Sequence, residues 1–169
     1  LPYIFFDSAS SELKPKYKSF KWSKNEFTED SLPKNTLGIY YNILDVLGHR
    51  MKNNINSKIT LVGVTDGNEL SDEKERLDLA ENRAKSIQKY LVYNWGIDET
   101  RIKLKSKDYP DLPTSEKYQE GFEENRRVEF YSEEFSLLSP VIHSRFIENS
   151  STQKNLKFYA GFKNAEKIE

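Results

Sequence analysis

The chain has 169 residues, with 26 lysine and arginine residues against 27 aspartate and glutamate residues and a formal net charge of −1. This balance argues against a general polyanion binder, which would show a strongly basic face. The absence of cysteine excludes disulfides, thiolate metal sites and cysteine nucleophiles, while 10 phenylalanine, 10 tyrosine and 2 tryptophan residues provide the large apolar side chains of a core.

The first third of the chain predicts a strand, an insertion and a helix. Residues 3–6 form a short aromatic and β-branched run, which is typical of a buried strand. Residues 14–36 carry lysines, acidic residues and two prolines without a clean period, which indicates a loop-like insertion. From Leu37 to Met51 apolar residues recur every three or four positions, and this spacing predicts a helix.

The middle of the chain contains the two clearest elements. Residues 58–64 are the best strand candidate, because they are almost continuously apolar or β-branched. A long helix is expected from about Asp72 to Trp95, and Gly96 is its expected stop. Ala80 and Ala84 lie in the buried stripe of this helix, where small side chains allow a close approach to a sheet.

The remainder of the chain predicts mostly strands. Residues 101–106 and 127–131 are expected to be strands, and a short polar helix is expected over 115–123. After residue 135 two further strands, 141–147 and 156–162, are expected on either side of a polar turn.

The order of these elements predicts an α+β fold: a two-layer α/β sandwich of βαβαβ-β order, with two main helices on a small mixed sheet. We expect a domain over residues 1–135 that contains the 14–36 insertion. Residues 136–169 are expected to be a β-rich extension or the start of a following domain. Because the chain starts at Leu1 rather than Met, we expect a fragment of a longer precursor, whose signal peptide or anchor lies outside it.

Short sequence pieces stand in a fixed order along the chain: Phe5-Phe6-Asp7 with Leu13-Lys14-Pro15, Gly63-Val64-Thr65-Asp66-Gly67, Leu79-Ala80-Glu81-Asn82-Arg83-Ala84, Gly96-Ile97 and Asn125-Arg126-Arg127-Val128. In this order and at these spacings they resemble the OmpA C-terminal-like domain, a peptidoglycan-binding module of bacterial envelopes. The resemblance covers about residues 3–131.

The resemblance implies a non-catalytic module, located in the periplasm, that tethers an outer-membrane or periplasmic protein to the cell wall. Its implied partner is the diaminopimelate of peptidoglycan stem peptides, whose side chain ends in an ammonium and a carboxylate. Asp66 would take the ammonium, and Arg83 would place its planar guanidinium on the carboxylate. The other implied binding residues lie around these two: Thr65, Gly67, Asn125 and Arg126.

Simpler interpretations of the two main residues stay open. Asp66 fits a turn residue that bonds its own loop. Arg83 fits a solvated helix residue or a structural salt bridge to Asp66. The chain also departs from the family pattern, with Arg76 in place of an asparagine, Ala80 in place of a serine and a loop after Asp66 that is about two residues longer. Arg76 would bring an extra cation near the site unless it points outward.

These departures motivate a second hypothesis, a protein-interaction scaffold of an envelope complex that keeps the fold and has weak or no peptidoglycan binding. In this hypothesis residues 14–36 and the C-terminal segment bind other envelope proteins. The spacing of carboxylates, histidines and hydroxyls marks no catalytic or metal site, so we expect no enzyme, no metal and no cofactor. We also expect no nucleic-acid partner and no membrane span, since no stretch approaches about 18 apolar residues.

Overall fold

Residues 3–18 and 27–141 are described by the structure, a computed structural model. Within them the sheet has four strands, which are β1 (Tyr3–Phe5), β2 (Ile59–Val64), β3 (Ile102–Lys107) and β4 (Arg127–Tyr131). Their spatial order is β1-β4-β2-β3. β2 and β3 are parallel, whereas β4 runs antiparallel to both β1 and β2, so the sheet is mixed as predicted.

The described residues form five α-helices: α1 (Thr36–Tyr41), α2 (Ile43–Asn53), α3 (Glu73–Trp95), α4 (Gln119–Asn125) and α5 (Phe135–Leu138). α3 packs on β2 and β3, and α2 packs beside α3. The predicted α+β sandwich, with two main helices on a small sheet, is therefore confirmed. No helix among the described residues combines the length and the apolar character that a membrane crossing needs.

The single helix predicted from Leu37 to Met51 is broken at Asn42. The Asn42 side-chain amide donates to the Gly38 carbonyl at 2.8 Å, and its backbone leaves helical geometry at ψ 13°. Asparagine side chains compete in this way for backbone groups, which makes them poor in helix interiors. The apolar period continues across the break, and for this reason the sequence pattern does not reveal it.

Helix α3 matches its predicted bounds, because both ends carry the expected capping groups. Asp72 caps the N-terminus, where its side chain accepts a hydrogen bond from the Glu75 N–H at 3.0 Å. Gly96 ends the helix in the left-handed conformation, with φ of 66°. The short polar helix, in contrast, lies at Gln119–Asn125 rather than over 115–123.

Helix α3 approaches β2 closely at a point where both carry small residues, Ala80 and Gly63. A Cβ atom placed on Gly63 would lie 1.8 Å from the carbonyl oxygen of Ala80. Only glycine fits there, and Ala80 itself is fully buried. This contact sets the helix directly on the C-terminal half of β2. It also brings Arg83, one turn further along α3, within hydrogen-bond distance of the Val64 carbonyl.

The 14–36 insertion and the segment after residue 135 both contribute to the core, as far as the structure describes them. Tyr17, Phe27 and Leu32, from the 14–36 insertion, are buried in the main apolar cluster. Leu137 of α5 is buried in the same cluster, and Arg50 of α2 donates to its carbonyl at 3.2 Å. The two strands expected after residue 140 lie outside the described residues, apart from Val141.

We expect Gly63→Ala to lower the free energy of unfolding by about 3 kcal/mol, since the added methyl group meets rigid backbone. The control is Gly96→Ala, where a Cβ meets nothing within 4 Å and only the positive φ is unfavourable. That variant is expected to lose about 1 kcal/mol. Urea titrations of both variants measure the difference. Equal losses would contradict the close contact between β2 and α3.

Candidate functional site

All four strands have one of their ends at the same edge of the sheet. β1, β2 and β3 finish there at Phe5, Val64 and Lys107, and β4 begins there at Arg127. The loops that leave these ends therefore meet beside the first half of α3. This placement explains why the separate sequence pieces of the family pattern come together in space.

Arg83 is a fully buried charge at this edge. Its side chain has 0% exposure, and all five of its N–H donors are engaged. Nε donates to the Ser10 carbonyl at 2.9 Å. Nη1 donates to the Val64 carbonyl at 3.0 Å and to Glu69 Oε1 at 2.7 Å. Nη2 donates to the Asp7 carbonyl at 3.0 Å and to Glu69 Oε2 at 2.5 Å. Arg83 is thus neither solvated nor paired with Asp66.

Glu69, which no sequence pattern marked, is the partner of Arg83. Its side chain also has 0% exposure. Besides the two bonds from Arg83, its carboxylate accepts the backbone N–H of Ala9 at 2.8 Å and that of Asp66 at 3.4 Å. We call Arg83 together with these two N–H groups the carboxylate receptor. In this structure the chain's own Glu69 occupies it.

Ala9 adopts an unusual backbone conformation to reach this carboxylate. Its φ is 50°, the only positive value among non-glycine residues that the structure describes. A non-glycine residue in this region is uncommon and needs support from its surroundings. Arg83 supplies that support, because it binds the carbonyls of Asp7 and Ser10 on either side.

Asp66 lies beside the carboxylate receptor and is 3% exposed. Oδ1 accepts the backbone N–H of Asn68 at 2.8 Å, which is the turn role considered from the sequence. Oδ2 faces Nη1 of Arg126 at 3.3 Å. Arg126 is also nearly buried, and its Nε has no hydrogen-bond partner among the residues that the structure describes. The structure therefore brings Asp66 and Arg126 together in a long, incomplete ion pair.

The other residues expected to bind the ligand instead make hydrogen bonds within the surrounding loops. The Thr65 hydroxyl donates to the Asp108 carbonyl and accepts the N–H of Gly67 at 3.3 Å. Gly67 needs the freedom of glycine, since its φ is 76°. Asn125 exchanges two hydrogen bonds with the backbone of Thr114, at 2.8 and 3.0 Å. Asn125 thus fixes a neighbouring loop rather than facing Asp66.

Arg76 does not leave a free positive charge at the site. Its guanidinium binds the Asp108 carboxylate through Nε at 2.5 Å and Nη2 at 3.0 Å. Nη1 donates to the Leu70 carbonyl at 2.7 Å, directly after Glu69 in the chain. The Arg76–Asp108 pair therefore fastens the loop that carries Glu69 to the end of β3.

Charges at this edge are arranged in neighbouring opposite pairs: Arg83–Glu69, Arg126–Asp66 and Arg76–Asp108. Among residues 3–18 and 27–141, no three histidine, aspartate or glutamate side chains are grouped so that they could hold a metal ion. The arrangement suits recognition of an ionic ligand whose groups match the pairs. No sequence pattern pointed to Glu69, although it lies in the loop after Asp66 that was expected to depart from the family pattern.

We expect the Arg76–Asp108 pair to weaken in acid. The hydrogen bond from Arg76 holds the pKa of Asp108 below its ordinary value of 3.8. A lowered folded-state pKa adds stability that is complete above the ordinary value and is lost as pH falls through the lowered one. Urea titrations between about pH 2 and pH 7 should show a stability gap between parent and Asp108→Asn that closes only in acid. Asp78→Asn, at an exposed carboxylate of α3, controls for one lost charge. A gap that is constant over this range would contradict the pairing.

Solved structures support the fold. The peptidoglycan-associated lipoprotein from Burkholderia pseudomallei is 16% identical, with a TM-score of 0.54 over 78% of this chain and 90% of that chain. The C-terminal domain of Helicobacter pylori MotB is 17% identical, with a TM-score of 0.51 over 78% of this chain and 84% of that chain. No curated protein matches closely enough to count as a relative.

The family model of the OmpA family matches residues 34–126. This range contains Asp66, Arg83 and the Asn125-Arg126 corner, and it spans more than half of the chain. The resemblance found in the sequence is confirmed, and the chain belongs to the OmpA family.

Proposed function

We propose that this chain is a non-catalytic peptidoglycan-binding module that tethers a protein of the bacterial envelope to the cell wall from the periplasm. Its membership in the OmpA family supports this function. So does the name of its structural neighbour, a peptidoglycan-associated lipoprotein. The observation that carries the proposal is the carboxylate receptor at Arg83.

The carboxylate receptor can bind a carboxylate, since the carboxylate of Glu69 already accepts four hydrogen bonds there. Arg83 offers two parallel N–H groups, the geometry that matches a carboxylate best. The N–H groups of Ala9 and Asp66 add two further donors. Glu69 here stands in for the carboxylate that a stem peptide would bring. In our proposal the terminal carboxylate of diaminopimelate takes this position.

The ammonium of the same ligand would be received by Asp66. Its Oδ2 has a weak partner at 3.3 Å, so an ammonium at shorter range would compete well for it. Arg126 would then be released from that contact, and its unpartnered Nε could donate to a ligand oxygen. The backbone around Thr65 and Gly67 would form the wall of the site, and Asn125 would support the site indirectly, by fixing the neighbouring loop at Thr114.

A second candidate function is a protein-interaction scaffold of an envelope complex with weak or no peptidoglycan binding. The engagement of every Arg83 donor within the chain favours it. A domain that never receives a ligand would keep its buried arginine neutralised in this way. The two candidates differ in whether an external carboxylate can reach Arg83.

Titration with a muropeptide that contains diaminopimelate tests the proposed function. We expect the chain to bind it, and Asp66→Ala to weaken binding about tenfold or more, as loss of a charged hydrogen bond does. Asp78→Ala removes an exposed carboxylate from α3 and is expected to bind like the parent. A second muropeptide, with lysine in place of diaminopimelate, lacks the side-chain carboxylate and is expected to bind more weakly.

Two results would count against this function. Equal affinity for the lysine and diaminopimelate muropeptides would show that no side-chain carboxylate is recognised. Absence of binding by the parent and also by Glu69→Gln would leave the scaffold function as the better account. Capture of envelope proteins by the parent under those conditions would then support that account.

A further inference from the structure

We propose that Glu69 is a built-in competitor for carboxylate ligands at Arg83, and that it sets the affinity of the site. The identity of the natural ligand rests on the proposed function, whereas the competition itself does not. Glu69 lies outside the residues that the family pattern marks for binding. Its role is inferred from its position in this structure alone.

A ligand must compete with Glu69 because all five N–H donors of Arg83 already have acceptors within the chain. Two of its five donors bind Glu69, and the other three bind backbone carbonyls that belong to the fold. An external carboxylate can therefore bind Arg83 only where Glu69 now binds. Occupancy by Glu69 and occupancy by a ligand exclude each other.

A ligand can displace Glu69 because one carboxylate at Arg83 is then replaced by another. Arg83 stays paired throughout, so that no charge is left buried and alone. Glu69 sits in the loop between β2 and α3, where Asn68 and Ser71 are exposed, and its carboxylate would regain water when it leaves. The loop needs only to swing outward, while β2 and α3 keep their places.

The Arg76–Asp108 pair controls how readily the loop leaves. Arg76 binds the carbonyls of Leu70 and Ser71, the two residues that follow Glu69. It is anchored in turn to Asp108 at the end of β3. The loop between β2 and α3 and Arg76 thus act together to place Glu69 on Arg83 and to hold it there.

An internal competitor reduces the apparent affinity by the fraction of molecules in which the site is open. A side chain tethered this closely competes at an effective concentration of about millimolar or more. A ligand that also offers an ammonium to Asp66 gains a second contact and displaces Glu69 more easily. Glu69 lowers the affinity of every carboxylate by the same factor, so the contact with Asp66 decides which ligands still bind at a given concentration.

Acetate is the direct probe of the vacated carboxylate receptor. In Glu69→Ala, acetate should raise the midpoint of thermal unfolding by about 3 °C at roughly five times its dissociation constant. The parent and Glu75→Ala, an exposed control in the first turn of α3, should show no such rise at equal ionic strength. If acetate stabilises Glu69→Ala no more than Glu75→Ala, the competition is refuted.

Glu69→Gln keeps the shape of the side chain and guards against a variant that fails to fold. We expect it to bind meso-diaminopimelate at least tenfold more tightly than the parent in calorimetric titration of the full 169-residue chain, with Glu75→Gln equal to the parent. Equal affinities of parent and Glu69→Gln would overturn the proposal. If acetate stabilises Glu69→Ala but neither chain binds diaminopimelate, the competitor stands and the proposed function fails.

The Arg76–Asp108 pair has its own test. Asp108→Asn keeps Glu69 but weakens its restraint, so we expect about a threefold gain in affinity for meso-diaminopimelate. Asp111→Asn is the matched control, because Asp111 is an exposed carboxylate three residues away that pairs with Lys107 at the surface. If both variants bind like the parent, the pair has no part in holding Glu69.

Discussion

The buried ion pair of Arg83 and Glu69 joins four separate parts of the chain. The guanidinium binds the carbonyls after β1 and at the end of β2, while Glu69 ties the loop before α3 to the same point. A buried pair of this kind is costly to break, by about 3–5 kcal/mol for loss of one partner, because the other charge stays behind without water. The arrangement of the whole edge therefore depends on some carboxylate being present at Arg83.

The apolar packing brings the pair into position. Gly63 and Ala80 let α3 lie on β2 at a distance that no larger side chain permits, and Arg83 follows one turn later. The core sets where the guanidinium lies, and the guanidinium then organises loops that have little apolar content of their own. The position of the carboxylate receptor is thus a consequence of helix-to-sheet packing as much as of the charges themselves.

Most of the fold could be predicted from the sequence because local patterns determine it. β2 is almost continuously apolar or β-branched, and α3 has both a capping aspartate and a terminal glycine. The break at Asn42 escaped prediction because the apolar period continues across it. The role of Glu69 was not predicted because an isolated glutamate in a loop belongs to no periodic pattern. Its partner can be identified only once segments that are distant in the sequence come together in the fold. The family pattern located Asp66 and Arg83 but not what each of them binds here.

The hydrogen bonds from Arg83 to the carbonyls of Asp7 and Ser10 have a mechanical consequence. Tension applied ahead of β1 would first separate that three-residue edge strand from β4 and then reach a segment pinned to a buried guanidinium. A ligand held by the same guanidinium would be attached within a few ångströms of that pinned segment. In the proposed function, load between the wall and the chain would then pass through the guanidinium of Arg83 to the segment that follows β1.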